Sequence, residues 1–97
     1  MDLTDKNIFD VTKNGNFLLL AYTDWCPHCL PAEEKLMILE KENRNFKYAK
    51  FNFQDCPKAT KKFGITTIPA VICIKSGVVK DIQAGSKIDY SKMLKNF

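Results

Sequence analysis

Residues 17–23 are almost continuously apolar over the length of a strand, which suits a central strand covered on both faces. Upstream, Thr4 is placed to cap a short helix that turns Ile8, Phe9 and Val11 inward and ends at Gly15. Downstream, over residues 27–43, the period becomes helical: Leu36, Met37 and Leu39 face a sheet, while Glu33, Glu40 and Lys41 face water. Pro31 lies in an early turn and is expected to bend this helix. Residues 46–53 alternate, with Ala49, Phe51 and Phe53 on one face and Tyr48, Lys50 and Asn52 on the other. Pro57 suits a first helical position and Gly64 an exit, which makes residues 58–63 a short helix. Residues 70–75 and 78–82 are β-branched runs separated by Ser76 and Gly77, the pattern of an antiparallel hairpin. Tyr90, Met93, Leu94 and Phe97 recur at i, i+3, i+4 and i+7, the stripe of a closing helix. The order α-β-α-β-α-β-β-α predicts an α/β fold with a mixed sheet and helices on both faces.

The 97 residues, 45% hydrophobic and 27% charged, fit one domain spanning residues 1–97, without repeats or linkers. Fifteen basic against 11 acidic side chains give +4, spread along the chain without a block of like charge. Neither a nucleic-acid nor a membrane footprint is expected, and the domain is read as a monomer. The apolar run at 17–22 is far short of a membrane span and follows Asp2, Asp5 and Asp10. No export signal is expected, and the compartment is read as cytoplasmic.

Four cysteines are too few for a disulfide-stapled miniprotein, so each needs its own account. Cys26 and Cys29 form a C-x-x-C pair, which reads as redox chemistry or a metal site. Zinc needs two further ligands, and Cys56 and Cys73 form no second knuckle, so neither a metal nor a separate cofactor is expected beyond a redox-active Cys26–Cys29 disulfide. Cys73 reads as a core residue, and Cys56, beside Pro57 where a helix begins, as an exposed loop thiol.

The segment 25–29 lies where a strand ends and a helix begins, the location at which reactive groups gather in open α/β sheets. A cysteine at a helix start meets unpaired N–H groups and the positive end of the dipole, which favours its thiolate. Cys26 is therefore read as the nucleophile. Cys29, one turn further and facing inward, is read as the thiol that resolves a mixed disulfide. Pro27 sets the first turn, and His28 brings an imidazole to the thiolate. Each unit by which a thiol pKa falls stabilises thiolate by ~1.4 kcal/mol and moves the couple ~30 mV toward oxidising. Pro27 and His28 thus predict a comparatively oxidising site.

Taken in order, Trp25-Cys26-x-x-Cys29 after an apolar strand, Lys50-Phe51-Asn52, Phe63-Gly64-Ile65, Ile68-Pro69, Gly77 and Gly85 resemble the landmarks of the thioredoxin family over residues 3–97. The resemblance implies a mixed four- to five-stranded sheet flanked by helices on both faces. It also implies a protein dithiol–disulfide oxidoreductase acting on protein disulfides or dithiols, recycled by a reductase such as thioredoxin reductase or by glutathione. Pro69 is then expected in cis, with the Ile68 backbone open to a substrate strand and Trp25 a flat apolar cover.

Three departures stand out. Leu20 occupies the position where thioredoxins commonly bury an aspartate that handles the proton of the resolving thiol. Lys50, the usual partner of that acid, is expected to direct its ammonium toward solvent, while remaining a candidate for proton-transfer support. The Pro27-His28 dipeptide is that of the periplasmic oxidase DsbA, where thioredoxins carry Gly-Pro, and little chain precedes Thr4 to form the customary first edge strand. Two alternatives stay open. A glutaredoxin-like, glutathione-dependent oxidoreductase shares Cys-Pro-x-Cys, but lacks support from a Gly-Gly pair after the hairpin. A non-catalytic binding module would keep its role without either cysteine.

Overall fold

The computed structural model describes residues 1–97. In chain order the elements are β1 (Asp2–Leu3), α1 (Ile8–Val11), β2 (Asn16–Tyr22), α2 (Cys29–Glu42), β3 (Lys47–Asn52), α3 (Pro57–Phe63), β4 (Ala70–Lys75), β5 (Val78–Ala84) and α4 (Tyr90–Leu94). The strands form one five-stranded sheet ordered β1-β3-β2-β4-β5. β1, β3 and β2 run parallel, and β4 and β5 are antiparallel to their neighbours. The fold class and the mixed sheet are those the pattern implied, with one addition at the N-terminus. Asp2 and Leu3 do form a first edge strand, beside Lys50 and Phe51, and the Lys50 N–H donates to the Met1 carbonyl at 2.8 Å. Two residues suffice because β3 offers an open row of backbone groups.

Strand alternation sorts the side chains into two cores. Phe17, Leu19, Ala21, Ala49, Phe51, Ile72 and Ile74 pack on one face with Ile8 and Ala59. Leu18, Leu20, Tyr48, Val71 and Cys73 pack on the other with Leu36, Leu39 and Met93. The apolar run at 17–23 is continuous because β2 is the central strand, buried on both sides. Gly64 ends α3 in the left-handed region at φ 67, and Ser76 and Gly77, at φ 50 and 83, make the hairpin turn between β4 and β5. Tyr90, Met93, Leu94 and Phe97 all pack on the α2 side of the sheet, as their spacing implied.

Several local expectations change. α1 is a single turn capped at Asn7, with the Thr4 carbonyl accepting from the N–H groups of Asn7 and Ile8, so it ends well before Gly15. Phe9 is exposed, resting its ring 6.0 Å from that of Phe63. α2 starts at Cys29 and not at Pro27. Pro31 therefore falls third in the helix, where no intrahelical donor is lost, and α2 runs as one helix. The buried positions of α2 are Cys29, Ala32, Leu36 and Leu39, which leaves Met37 47% exposed. Cys56 caps α3 but is buried, its thiol 3.8 Å from the Leu3 carbonyl, because the new strand β1 covers it. Burial pushes both the Cys56 and Cys73 thiols up, Cys73 to about 11.

Candidate active site

β2 ends at Tyr22, and the chain then turns through residues 24–28 into α2. The turn is held by the Cys26 N–H donating to the Thr23 carbonyl at 3.4 Å and the Cys29 N–H donating to the Cys26 carbonyl at 3.3 Å. Cys26 thus sits in the turn before the helix, with Cys29 as its first residue and exposed His28 as a cap that makes no side-chain capping bond. Pro27 is exposed beside it. Cys26 is 8% exposed and Cys29 4%. Burial pushes the Cys29 thiol up to about 12, and the adjacent Cys26 sulfur, to which it can donate, pushes the same way. A backbone N–H from Thr23 opposes both.

Both sulfurs line a recess of about 180 Å³ together with Leu20, Thr23, Glu33 and Lys50. Trp25, in the same turn, is 68% exposed. The Ile68–Pro69 peptide is cis. Ala70 pairs with Ala21, which brings the buried Pro69 and half-buried Ile68 to the end of β2 from which the cysteine turn emerges. No group of three or more His, Cys, Asp and Glu side chains gathers where a metal ion would be held, and no helix is long and apolar enough to cross a membrane.

Lys50 does not point to solvent. In the β2–β3 register it sits beside Leu20, on the face that carries α2. There its ammonium meets the Glu33 carboxylate at 2.7 Å and lies 5.0 Å from the centre of the Tyr22 ring. Glu33 also accepts from the Tyr48 hydroxyl at 2.7 Å, and Glu40 accepts from the Tyr48 N–H at 2.6 Å. Two side chains read as a solvated helix face therefore bond to β3. The bond from Lys50 holds the Glu33 carboxyl below the usual carboxylate range, and Glu33 in turn raises Lys50. Glu33 is the site residue the sequence reading missed. The available signal was its place four residues after inward-facing Cys29, which puts both on one helix face.

A family model for thioredoxin matches residues 2–96. The chain belongs to the thioredoxin family. It is 27% identical over 75 residues to a thioredoxin of Echinococcus granulosus, covering 75% of this chain and 70% of that one. It is 28% identical over 82 residues to a thioredoxin of Chlamydia caviae, covering 84% and 80%. Among solved structures, thioredoxin f2 of Chlamydomonas reinhardtii superposes with a TM-score of 0.85 at 19% identity, covering 99% of this chain and 93% of that one. The thioredoxin of Plasmodium falciparum gives 0.84 at 18%, covering 98% and 95%. As a thioredoxin-family member the protein is a thiol–disulfide oxidoreductase.

Proposed function

We propose that this thioredoxin-family protein exchanges disulfides with protein substrates in two steps. Cys26 attacks a substrate disulfide, and Cys29 then attacks Cys26 in the mixed disulfide, releasing the substrate thiol. The observation that carries the assignment is the unequal environment of two neighbouring sulfurs. Cys29 is the more deeply buried, and burial together with Cys26 holds it as a thiol up to about 12, which suits the second step and not the first. Exposed Trp25, within the turn, and the Ile68–Pro69 segment, brought to the same end of β2, are assigned to substrate contact, the latter by strand pairing. A Cys29→Ser variant incubated with a protein disulfide is expected to accumulate a covalent adduct through Cys26, visible by mass spectrometry and released by dithiothreitol. No adduct, or one carried by Cys56 or Cys73, counts against the assignment.

The couple is further proposed to be more oxidising than that of thioredoxins with a Gly-Pro dipeptide. Support comes from His28, whose exposed ring stands between the two sulfurs in sequence and is not engaged in capping α2. His28→Pro is expected to lower the equilibrium potential measured against glutathione. An unchanged or raised potential removes the role given to His28. Two fully buried free thiols, Cys56 and Cys73, suit a reducing compartment, and a monomer in the cytoplasm, recycled by a thioredoxin reductase or by glutathione, is the setting proposed.

A further inference from the structure

We propose that Glu33, held in place by Lys50, is the proton station for Cys29 during the second exchange and links the buried dithiol to bulk water. The inference rests on the exchange reaction proposed above.

The need for such a station follows from the burial of Cys29. Burial holds Cys29 as a thiol, yet the second exchange requires its thiolate. An acceptor must therefore sit within reach of the sulfur, directly or through water. Leu20, at the inner wall of the recess, has no titratable group. Two carboxylates line the recess, Asp24 and Glu33. Glu33 lies one helical turn from Cys29 on the same face of α2, whereas Asp24 is an exposed turn residue.

A second observation singles out Glu33. A neighbouring groove on the outer side is lined by Asp2, Met37, Glu40, Lys47 and Tyr48 among others, and only Glu33 and Lys50 line both it and the thiol recess. The ion pair thus lies between the recess that holds the sulfurs and this outer groove. The recess is roomy enough for water, and the buried Thr23 Oγ1, which has no hydrogen-bond partner, lies in its wall to receive one. Lys50 and the Tyr48 hydroxyl both donate to the Glu33 carboxylate and fix its orientation at the border of the recess.

The step balances as follows. The Cys29 thiol gives its proton, through water, to the Glu33 carboxylate. The resulting thiolate attacks the Cys26 sulfur, forming the Cys26–Cys29 bond as the bond from Cys26 to the substrate sulfur breaks. The substrate leaves as thiolate with the bonding pair and is protonated from Glu33 or from water. The two cysteines lose two electrons, and the substrate disulfide gains them. Glu33 acts on the rate of this step and not on the first, in which Cys29 is a bystander.

Other titratable groups lie around Glu33: Lys50, Tyr48 and Lys47 from β3, Tyr22 from β2, Asp24 from the turn, Asp2 from β1, the terminal amine of Met1 just before it, and Glu40 from α2. Wild type and variants are accordingly compared at matched pH. Rapid mixing with a chromogenic aromatic disulfide separates the steps, because attack by Cys26 releases one coloured thiolate and attack by Cys29 a second. Glu33→Gln is expected to leave the first release unchanged and slow the second at least about tenfold at pH 7, with the gap closing above pH 9 as hydroxide replaces the carboxylate. Glu33→Asp restores part of the rate, and Asp24→Asn leaves both releases at wild-type values. The proposal is overturned if Glu33→Gln resolves at the wild-type rate, if it is slowed by one constant factor at every pH, or if Asp24→Asn carries the larger effect. A wild-type protein with no second release at all overturns the two-step exchange itself.

Discussion

Cys26→Ser is expected to abolish disulfide exchange, with turnover falling by at least about 10³-fold. A serine hydroxyl has almost none of the anionic form that attacks sulfur at neutral pH. Cys29 does not substitute for the missing sulfur, because it is 4% exposed and burial with its neighbour holds it as a thiol up to about 12. Cys56 and Cys73 are buried in the two cores with thiols pushed up, and neither opens on the recess. Reduction of a protein disulfide by the variant, followed with dithiothreitol as the electron source and corrected for the uncatalysed rate, checks this. Rates equal to wild type refute Cys26 as the attacking thiol. Far-ultraviolet circular dichroism of the same sample shows that the fold is intact.

The second large effect concerns stability. Leu20→Asp is expected to cost about 3 kcal/mol or more at pH 7, although this is the position where the family commonly buries an acid. Leu20 is fully buried between Lys50 and Val71 in the sheet and packs with Leu18, Leu36 and Val71 beneath α2. The substitution removes that packing and places a carboxylate where the one nearby cation, Lys50, already holds Glu33 at 2.7 Å. For a domain of this size the loss corresponds to a fall in Tm of about 10 °C or more. The sign with pH follows from the direction of the shift. Burial raises the folded pKa of the new acid above its unfolded value near 3.9, so the cost is full above the folded pKa and shrinks as pH falls toward the unfolded one. Urea unfolding at pH 7 and pH 5 is therefore expected to show a smaller gap from wild type at the lower pH. Combined with Glu33→Gln, which frees Lys50, the cost is expected to be less than additive. A neutral or stabilising Leu20→Asp at pH 7 contradicts the picture of Lys50 committed to Glu33.

Both predictions turn on contacts that differ greatly in how far one-dimensional reading reaches them. The turn between β4 and β5 is legible because Ser76-Gly77 must satisfy a local backbone geometry, and Gly64 ends α3 for the same reason. The central position of β2 is legible because a strand buried on both faces has no room for polar alternation. Cys26 and Cys29 are legible as a pair because three residues of separation at a helix start leave few relative positions. By contrast, the helical patterns turn Phe9 and Met37 inward, and the structure leaves them at the surface because Ile8, Leu36 and Leu39 already fill the facing positions. Asp2–Leu3 is too short to carry a strand pattern of its own, and exists as one because of what β3 presents.

What the sequence determined by itself is therefore local: the order of elements from the apolar run of β2 onward, their turns and exits, and the placing of a dithiol where a parallel strand hands over to a helix. What only the tertiary structure decided is the partner of each polar side chain. Lys50 looks unpartnered along the chain once Leu20 is seen, and Glu33 looks solvated once the apolar stripe of α2 is drawn. The two meet because β3 lies beneath the first turns of α2, and an ion pair 17 residues apart in sequence depends on the distance between those elements and not on any spacing within either. Backbone geometry is set by near neighbours along the chain, whereas charge pairing is set by neighbours through space.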